Sequence, residues 1–302
     1  MFKLLSKESN IFSVPVYIGV LLGLIFLRNI SSAAFSVDLP LVFALGGLTL
    51  GYFCINSIRL NYQTHVPLFL YTVFSLVFFS MDMDIGLSVA LMTNSLLVLM
   101  LSSPEDMNVK KNYVIVGSLL VFNYIFLPAT WAMILFVIIH VFATSERIVL
   151  HIFRLFFGMV LMGIFYFSLA YFFGANTWDE RYLPMPSSPF LAENFSLVYL
   201  SPIAILLLWA IADHFLHYNE KSPVSRYKYT FLLLFLVVQV ATILMYMENS
   251  KSYLLLLVMP MSIIFARFLR FRKRYWEKEV GLGVIMLTLL VYFTIEKVMA
   301  IY

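Results

Sequence analysis

Two aspartates, Asp82 and Asp84, stand two residues apart in a short polar break between apolar runs. Carboxylates held beside a membrane surface can act as a general base or bind a cation, so these two are the catalytic candidates. Arg28 and Arg181, which the loop pattern below assigns to the same side, could grip a phosphate. A guanidinium pairs with phosphate oxygens through two parallel hydrogen bonds. The densest charge lies elsewhere: Arg267, Arg270, Arg272, Lys273 and Arg274 fall within eight residues, interleaved with Phe268, Leu269 and Phe271. Each such base contributes about 1 kcal/mol at an anionic lipid surface. This segment is expected to anchor the topology or to bind a lipid phosphate or a partner protein.

Other polar residues carry weaker chemistry. Asp213 and His217 are four apart and share a helix face, a spacing compatible with a metal or a proton relay, but no Cys or Glu completes a ligand set nearby in sequence. Asn94, Asn123, His140 and Gln239 fall inside apolar segments, where amides and imidazoles bond between packed helices and ionisable groups mark functional positions. Asp38, Asp179 and Glu180 are expected as solvated loop acids. Cys54, the single cysteine, can form neither an internal disulfide nor a multi-thiol site. No metal site and no cofactor is expected.

The elements that must position these residues are membrane helices. The chain of 302 residues is 62% hydrophobic and 12% charged, with mean hydropathy +0.94. Soluble domains run near a quarter charged. Eleven apolar segments are predicted, at 11–27, 39–57, 67–81, 85–102, 113–127, 129–143, 155–174, 195–216, 229–247, 253–269 and 280–295. Several are short for a crossing of roughly 17–25 residues. The pair on either side of Pro128 could be a tight helical hairpin or one broken helix. Pro202 and Pro260 could kink two others. Arg28 and Asn29 separate the first apolar run from Ser31-Ser32-Ala33-Ala34, so the first helix is expected to be retained rather than cleaved as a signal peptide. The expectation is an all-α polytopic protein, a single transmembrane domain over 1–302 with about eleven helices.

The loops alternate in charge. With the N-terminus inside, sixteen of the twenty Lys and Arg fall in inner loops. Only Arg28, Arg181, Lys251 and Lys297 fall outside. The sixteen acids divide equally, as expected when Lys and Arg alone report orientation. The pattern predicts a bacterial inner-membrane protein with a cytoplasmic N-terminus and a periplasmic C-terminus. The net charge of +4 is then a consequence of topology, and no nucleic-acid partner is expected. Tyr113, Trp178, Tyr229, Tyr253 and Trp276 sit where an interfacial aromatic belt would lie.

Several stretches carry a resemblance. These are the opening Met1-Phe2-Lys3-Leu4-Leu5-Ser6-Lys7, residues 109–113 through 128–136, Ser145-Glu146-Arg147, and residues 249–260 ending at Pro260. Together they resemble an uncharacterised family of roughly 300-residue inner-membrane proteins of Bacteroidota, for which no activity is implied. More distantly, short spans followed by Lys110-Lys111, a span, the turn Leu127-Pro128-Ala129 and another span look like part of the lipid-linked glycan polymerases and related membrane glycosyltransferases. That likeness implies a large outer loop gripping a pyrophosphate-linked sugar. Here the largest outer loop, 175–194, holds one base, Arg181, and the turn lacks the polar residue usual there.

The sparse polar inventory favours a non-catalytic subunit or scaffold of an envelope machine for export, motility or glycan assembly, with the bilayer and other membrane proteins as partners. The alternative is an enzyme acting on a polyprenyl-phosphate-linked sugar at the outer face, with Asp82 or Asp84 as base and Arg28 or Arg181 on the phosphate. A transporter ranks third, because no Asp or Glu lies centrally in any span.

Overall fold

The computed structural model describes residues 2–10, 12–29, 38–58, 60, 64–80, 83–102, 112–174, 195–246 and 251–299. Among these the protein is all-α. The β pairing in the described part is a single isolated bridge between Glu8 and Thr64. A short α1 (Phe2–Leu5) precedes α2 (Ser13–Asn29), α3 (Leu39–Ile58), α4 (His65–Phe78), α5 (Ile85–Ser102), α6 (Tyr113–Phe126), α7 (Ala132–Thr144), α8 (Ile148–Phe172), α9 (Ser201–Leu216), α10 (Pro223–Tyr246), α11 (Leu255–Phe271) and α12 (Tyr275–Met299). Among the described residues, seven helical segments are long and apolar enough to cross a membrane: those of α3, α5, α8, α9, α10, α11 and α12. Four apolar helices are shorter, at Ser13–Leu27, His65–Phe78, Tyr113–Phe126 and Pro128–Thr144. Of the about eleven membrane helices expected, seven thus have full crossing length among the described residues, and the four shorter helices do not by themselves establish a crossing.

Helix boundaries extend past the hydropathy boundaries wherever charge sits on the first turns. α8 begins at Ile148 rather than 155, α10 at Pro223 rather than 229, and α12 at Tyr275 rather than 280. Arg154, Arg226 and Lys278 lower the apolar average without opposing helix formation, since long basic side chains run their stems along the helix and keep their heads in water.

α11 is the central element: 83% of its membrane-length window is buried. It packs on α4, α9, α10 and α12, with Phe74 stacked on Phe265 at 6.1 Å between centroids. α8 is the opposite extreme, with 11% of its window buried. Its main seam is against α6, where a Cβ on Gly117 would strike the Leu155 carbonyl and one on Gly158 the Val114 carbonyl. Lipid tails are as apolar as leucine, so helices in a membrane gain by close packing rather than by escaping water. The two glycines provide that approach.

Packing registers show how the chain reverses. Cys54 donates to the Ser95 carbonyl and Ser57 bonds Ser102, so α3 and α5 run parallel and α4 carries the chain back between them. Tyr113 stacks near His151 and Ser118 donates to the Gly158 carbonyl, so α6 and α8 also run parallel and α7 returns the chain. The Tyr113 and Ser145 hydroxyls meet at 3.3 Å, closing that return. At its far end, Leu127 is extended (φ −138°, ψ 89°) and Pro128–Trp131 form one 3₁₀ turn, with Thr130 Oγ1 donating to the Leu127 carbonyl. The segment is a broken hairpin whose arms both touch α8 but otherwise find different neighbours, α5 for one and α10 for the other. At the 1.5 Å rise of an α-helix, the 14 residues of α4 reach only about 21 Å.

The segments that loop charge assigns to one side meet at one end of the bundle. Phe2 N–H donates to Glu279, Glu8 bridges Thr64, Tyr227 bonds His140, Arg267 bonds Ser225 and Arg272 pairs with Asp213. At the other end, Gly86 abuts the Phe126 carbonyl and Trp131 Nε1 donates to Met245 Sδ.

Candidate functional site

The arginine-rich segment forms one wall of a cavity. α9 ends at Leu216 with Asp213 and His214 in its last turns. The turn through Glu220 and Lys221 leads to α10, whose Pro223 suits a first helical position because its missing N–H would be unbonded there anyway. Ser225 and Tyr229, four apart, then share a face of α10. α11 contributes Arg267, Phe268 and Phe271, again at helical spacing. The chain leaves α11 extended at Arg272 (φ −62°, ψ 136°), which turns that side chain back over Phe268 (4.1 Å) and Trp209 (4.7 Å). The cavity volume is about 510 Å³, lined among others by His214, Lys221, Tyr229, Arg267, Arg272 and Glu277. Two helix C-termini (α9, α11) and two N-termini (α10, α12) converge here. Their dipoles oppose one another, and side chains set the field.

Arg267 is 4% exposed. Its guanidinium lies over the Tyr229 ring at 4.9 Å and the Phe271 ring at 5.6 Å. One terminal nitrogen donates to Ser225 Oγ at 2.7 Å; the other, Nη1, is buried with no partner. His214 is 2% exposed and stacks on Tyr229 at 3.8 Å with 17° between planes. Lys221 Nζ lies 3.0 Å from His214 Nδ1 and donates to the His214 carbonyl at 3.1 Å. An ammonium can only donate, so Nδ1 accepts and the imidazole proton sits on Nε2. That Nε2 is buried and has no partner. Burial, and then the charge of Arg267, lower the Lys221 pKa below its ordinary 10.5, against the upward pull of Asp213 and Glu220.

The acids of the site are already committed or peripheral. Asp213 Oδ1 accepts from Arg272 at 3.3 Å and stands 3.7 Å from His217 Nδ1. The Asp213 and His217 spacing is therefore part of an ion-paired helix end. Among the described residues no group of three or more His, Cys, Asp or Glu side chains is placed to hold a metal.

The chain belongs to a family of unknown function (DUF6427), matched over residues 1–302. No curated protein and no solved structure matches it. Family membership therefore brings no activity with it, and the reading of the site rests on its geometry.

Four of the five bases singled out from sequence, Arg267, Arg272, Lys273 and Arg274, line the cavity; Arg270 does not. Asp84 lies at the opposite end, where its carboxylate accepts from the Gly86 N–H at 3.1 Å. This makes it the N-cap of α5, a structural duty common for Asp. Asp82, Arg181, Asp179 and Glu180 lie outside the described residues, and Arg28 falls in the last turn of α2. His214, Lys221, Ser225 and Tyr229 are the candidate-site residues that sequence reasoning missed. Lys221 counted only as an inner-loop base and Tyr229 as a belt aromatic. Their assignment to one side was the available signal, since it put residues 213–229 and 267–274 at the same membrane face.

Proposed function

We propose that the chain is a non-catalytic integral subunit of an assembly in the bacterial inner membrane, and that it recognises an anionic group at its cytoplasmic end. The observation that carries this reading is the cavity around Arg267. Its polar groups are arranged for holding: Lys221 on His214, Arg267 on Ser225, Arg272 on Asp213. Eleven crossings, with the N-terminus in the cytoplasm and the C-terminus in the periplasm, follow from the sixteen-to-four division of Lys and Arg. The parallel registers of α3 with α5 and of α6 with α8 support crossings by the short α4 and α7. A 14-residue helix meets the mismatch by local thinning of the bilayer or by burial in the bundle.

The alternative, an enzyme on a polyprenyl-phosphate-linked sugar at the outer face, draws on the distant likeness to glycan polymerases. Its described base candidate, Asp84, is occupied as a helix cap.

Mild-detergent purification followed by mass spectrometry tests the subunit reading. Co-purification of other envelope proteins at fixed stoichiometry is expected, and recovery of the chain alone as a monodisperse species would overturn it. Reporter fusions after residue 274 should read cytoplasmic and fusions at Tyr302 periplasmic.

A further inference from the structure

We infer that the cavity between the ends of α9 and α11 binds a phosphate-bearing anion, held by Arg267, His214 and Lys221. The inference rests on reading this site as a recognition site and names its ligand class.

The unpaired polar groups are all donors. Arg267 Nη1 and His214 Nε2 are buried and unbonded, and Lys221 brings a third donor from the turn between α9 and α10. A buried polar atom left without a partner is costly, and two unbonded donors on residues that line one cavity call for a species that only accepts. Bases outnumber acids on the lining: Lys221, Arg267, Arg272, Lys273 and Arg274 against Asp213, Glu220 and Glu277. Asp213, the acid in the last turn of α9, is paired with Arg272.

The geometry favours phosphate over a carboxylate. The three donors come from three segments: α11, α9 and the turn between α9 and α10. A tetrahedral oxyanion offers several oxygens to such a set, whereas a carboxylate offers two in one plane. Guanidinium and phosphate also match as a charge-assisted pair. A volume of about 510 Å³ falls within the range of small-molecule sites and exceeds what a bare phosphate fills. Phe268, Phe271 and Tyr229 line the remainder, so the phosphate is carried on a body with apolar surface. A lipid headgroup entering at the helix ends and a soluble phosphomonoester share this chemistry.

The experiment uses the full-length chain and separates the two sources. Thermal unfolding is followed in a neutral detergent with inorganic phosphate and glycerol 3-phosphate as probes, and with sodium chloride at matched ionic strength. A parallel arm compares nanodiscs of phosphatidylcholine with nanodiscs containing phosphatidylglycerol, with native mass spectrometry for retained lipid. A saturable rise in midpoint with either phosphate probe, absent with chloride, assigns a soluble ligand. A rise confined to phosphatidylglycerol discs, with one lipid retained, assigns a headgroup. Arg267→Gln should abolish the response. Lys221→Gln, in the turn between α9 and α10, should weaken half-saturation by roughly tenfold or more, as for one lost charged hydrogen bond, with helical content by circular dichroism measured alongside. The inference fails if neither source gives a saturable response, if chloride does as well as phosphate, or if Lys221→Gln responds like the wild type. Loss of partners in the pull-down would leave these outcomes untouched, and the reverse also holds.

Discussion

Two buried polar regions of the bundle solve the same problem in opposite ways. Midway along, Asn123 Nδ2 donates to Asn94 Oδ1 at 3.0 Å, Asn94 Nδ2 to Gln239 Oε1 at 3.3 Å, and Gln239 Nε2 to Met133 Sδ at 3.2 Å. Donors meet acceptors across α6, α5, α10 and α7, and one acceptor, Asn123 Oδ1, is left over. At the end of the bundle the leftovers are donors, Arg267 Nη1 and His214 Nε2, and both residues belong to the lining of a cavity of about 510 Å³. The first region is closed by its own partners and ties four helices in register. The second is satisfied only by something from outside. A buried polar group signals a binding site when what is missing is all of one kind and there is room for it.

The sharpest way to break this contrast is to cut the amide chain at its middle. Asn94→Leu strands Asn123 Nδ2 and Gln239 Oε1 in apolar surroundings. Stability in detergent should fall by about 1–3 kcal/mol, with no change in the response to phosphate. Thermal unfolding with and without phosphate reads both. A variant that kept its stability but lost the response would reverse the roles assigned to the two regions.

Arg267→Met tests the other region and should move the opposite way. The ligand-free protein holds a buried guanidinium with one unbonded nitrogen, and replacing such a group by an apolar one of similar length is often neutral or stabilising. The expected result is a ligand-free midpoint equal to or above wild type together with loss of phosphate-dependent stabilisation. A large destabilisation without ligand would mean that Ser225 and the Tyr229 ring satisfy Arg267 on their own.

Lys221 gives a smaller, pH-dependent effect. Its pKa in the folded chain lies below the unfolded value of 10.5 because of burial and then Arg267. Between the two values the unfolded chain holds more protons, so ligand-free stability should rise with pH in that window. Anion binding has the reverse sign, because it uses the ammonium: affinity for phosphate should fall as pH rises through the folded pKa. Lys221→Gln should flatten both slopes. Opposite slopes in the wild type that persist in the variant would assign them to another group.

The legible part of the fold follows from what a membrane demands of a sequence. Apolar length marked every described helix except the four-residue α1, and Lys and Arg placement predicted which loops share an end, because both act through the local sequence. Helix starts such as Tyr275 were set too late by up to seven residues, since hydropathy penalises Trp276, Glu277 and Lys278 while helix formation does not. The cavity was half visible. Arg267 to Arg274 stood out as a charge cluster, but nothing in the sequence places Arg267 against Tyr229 rather than in water. That depends on α11 being the innermost helix, and its apolar segment reads no differently from that of the exposed α8. Adjacency between distant helices is set by close packing, and glycines such as Gly117 and Gly158 show their use only once Leu155 and Val114 are seen opposite them.

The smallest expected effect concerns the end of the bundle remote from the cavity. Asp84 accepts from the Gly86 N–H, and Asn caps a helix about as well as Asp. If the polar machinery of this protein lies at the arginine end, Asp82→Asn with Asp84→Asn should leave stability, partner recovery and cellular function close to wild type. If instead one of these carboxylates is a general base for glycan chemistry, its loss should slow turnover by about 10²–10⁴-fold, and cells should resemble a deletion strain. Membrane level and insertion of the double variant must be measured alongside, so that a folding defect is not read as lost catalysis. A deletion-like phenotype at normal protein level would move the working site to the outer face and leave the Arg267 cavity as a secondary feature. The cap geometry argues against that outcome, because the Asp84 carboxylate accepts from the Gly86 N–H in the first turn of α5 and is engaged with the backbone rather than with a substrate.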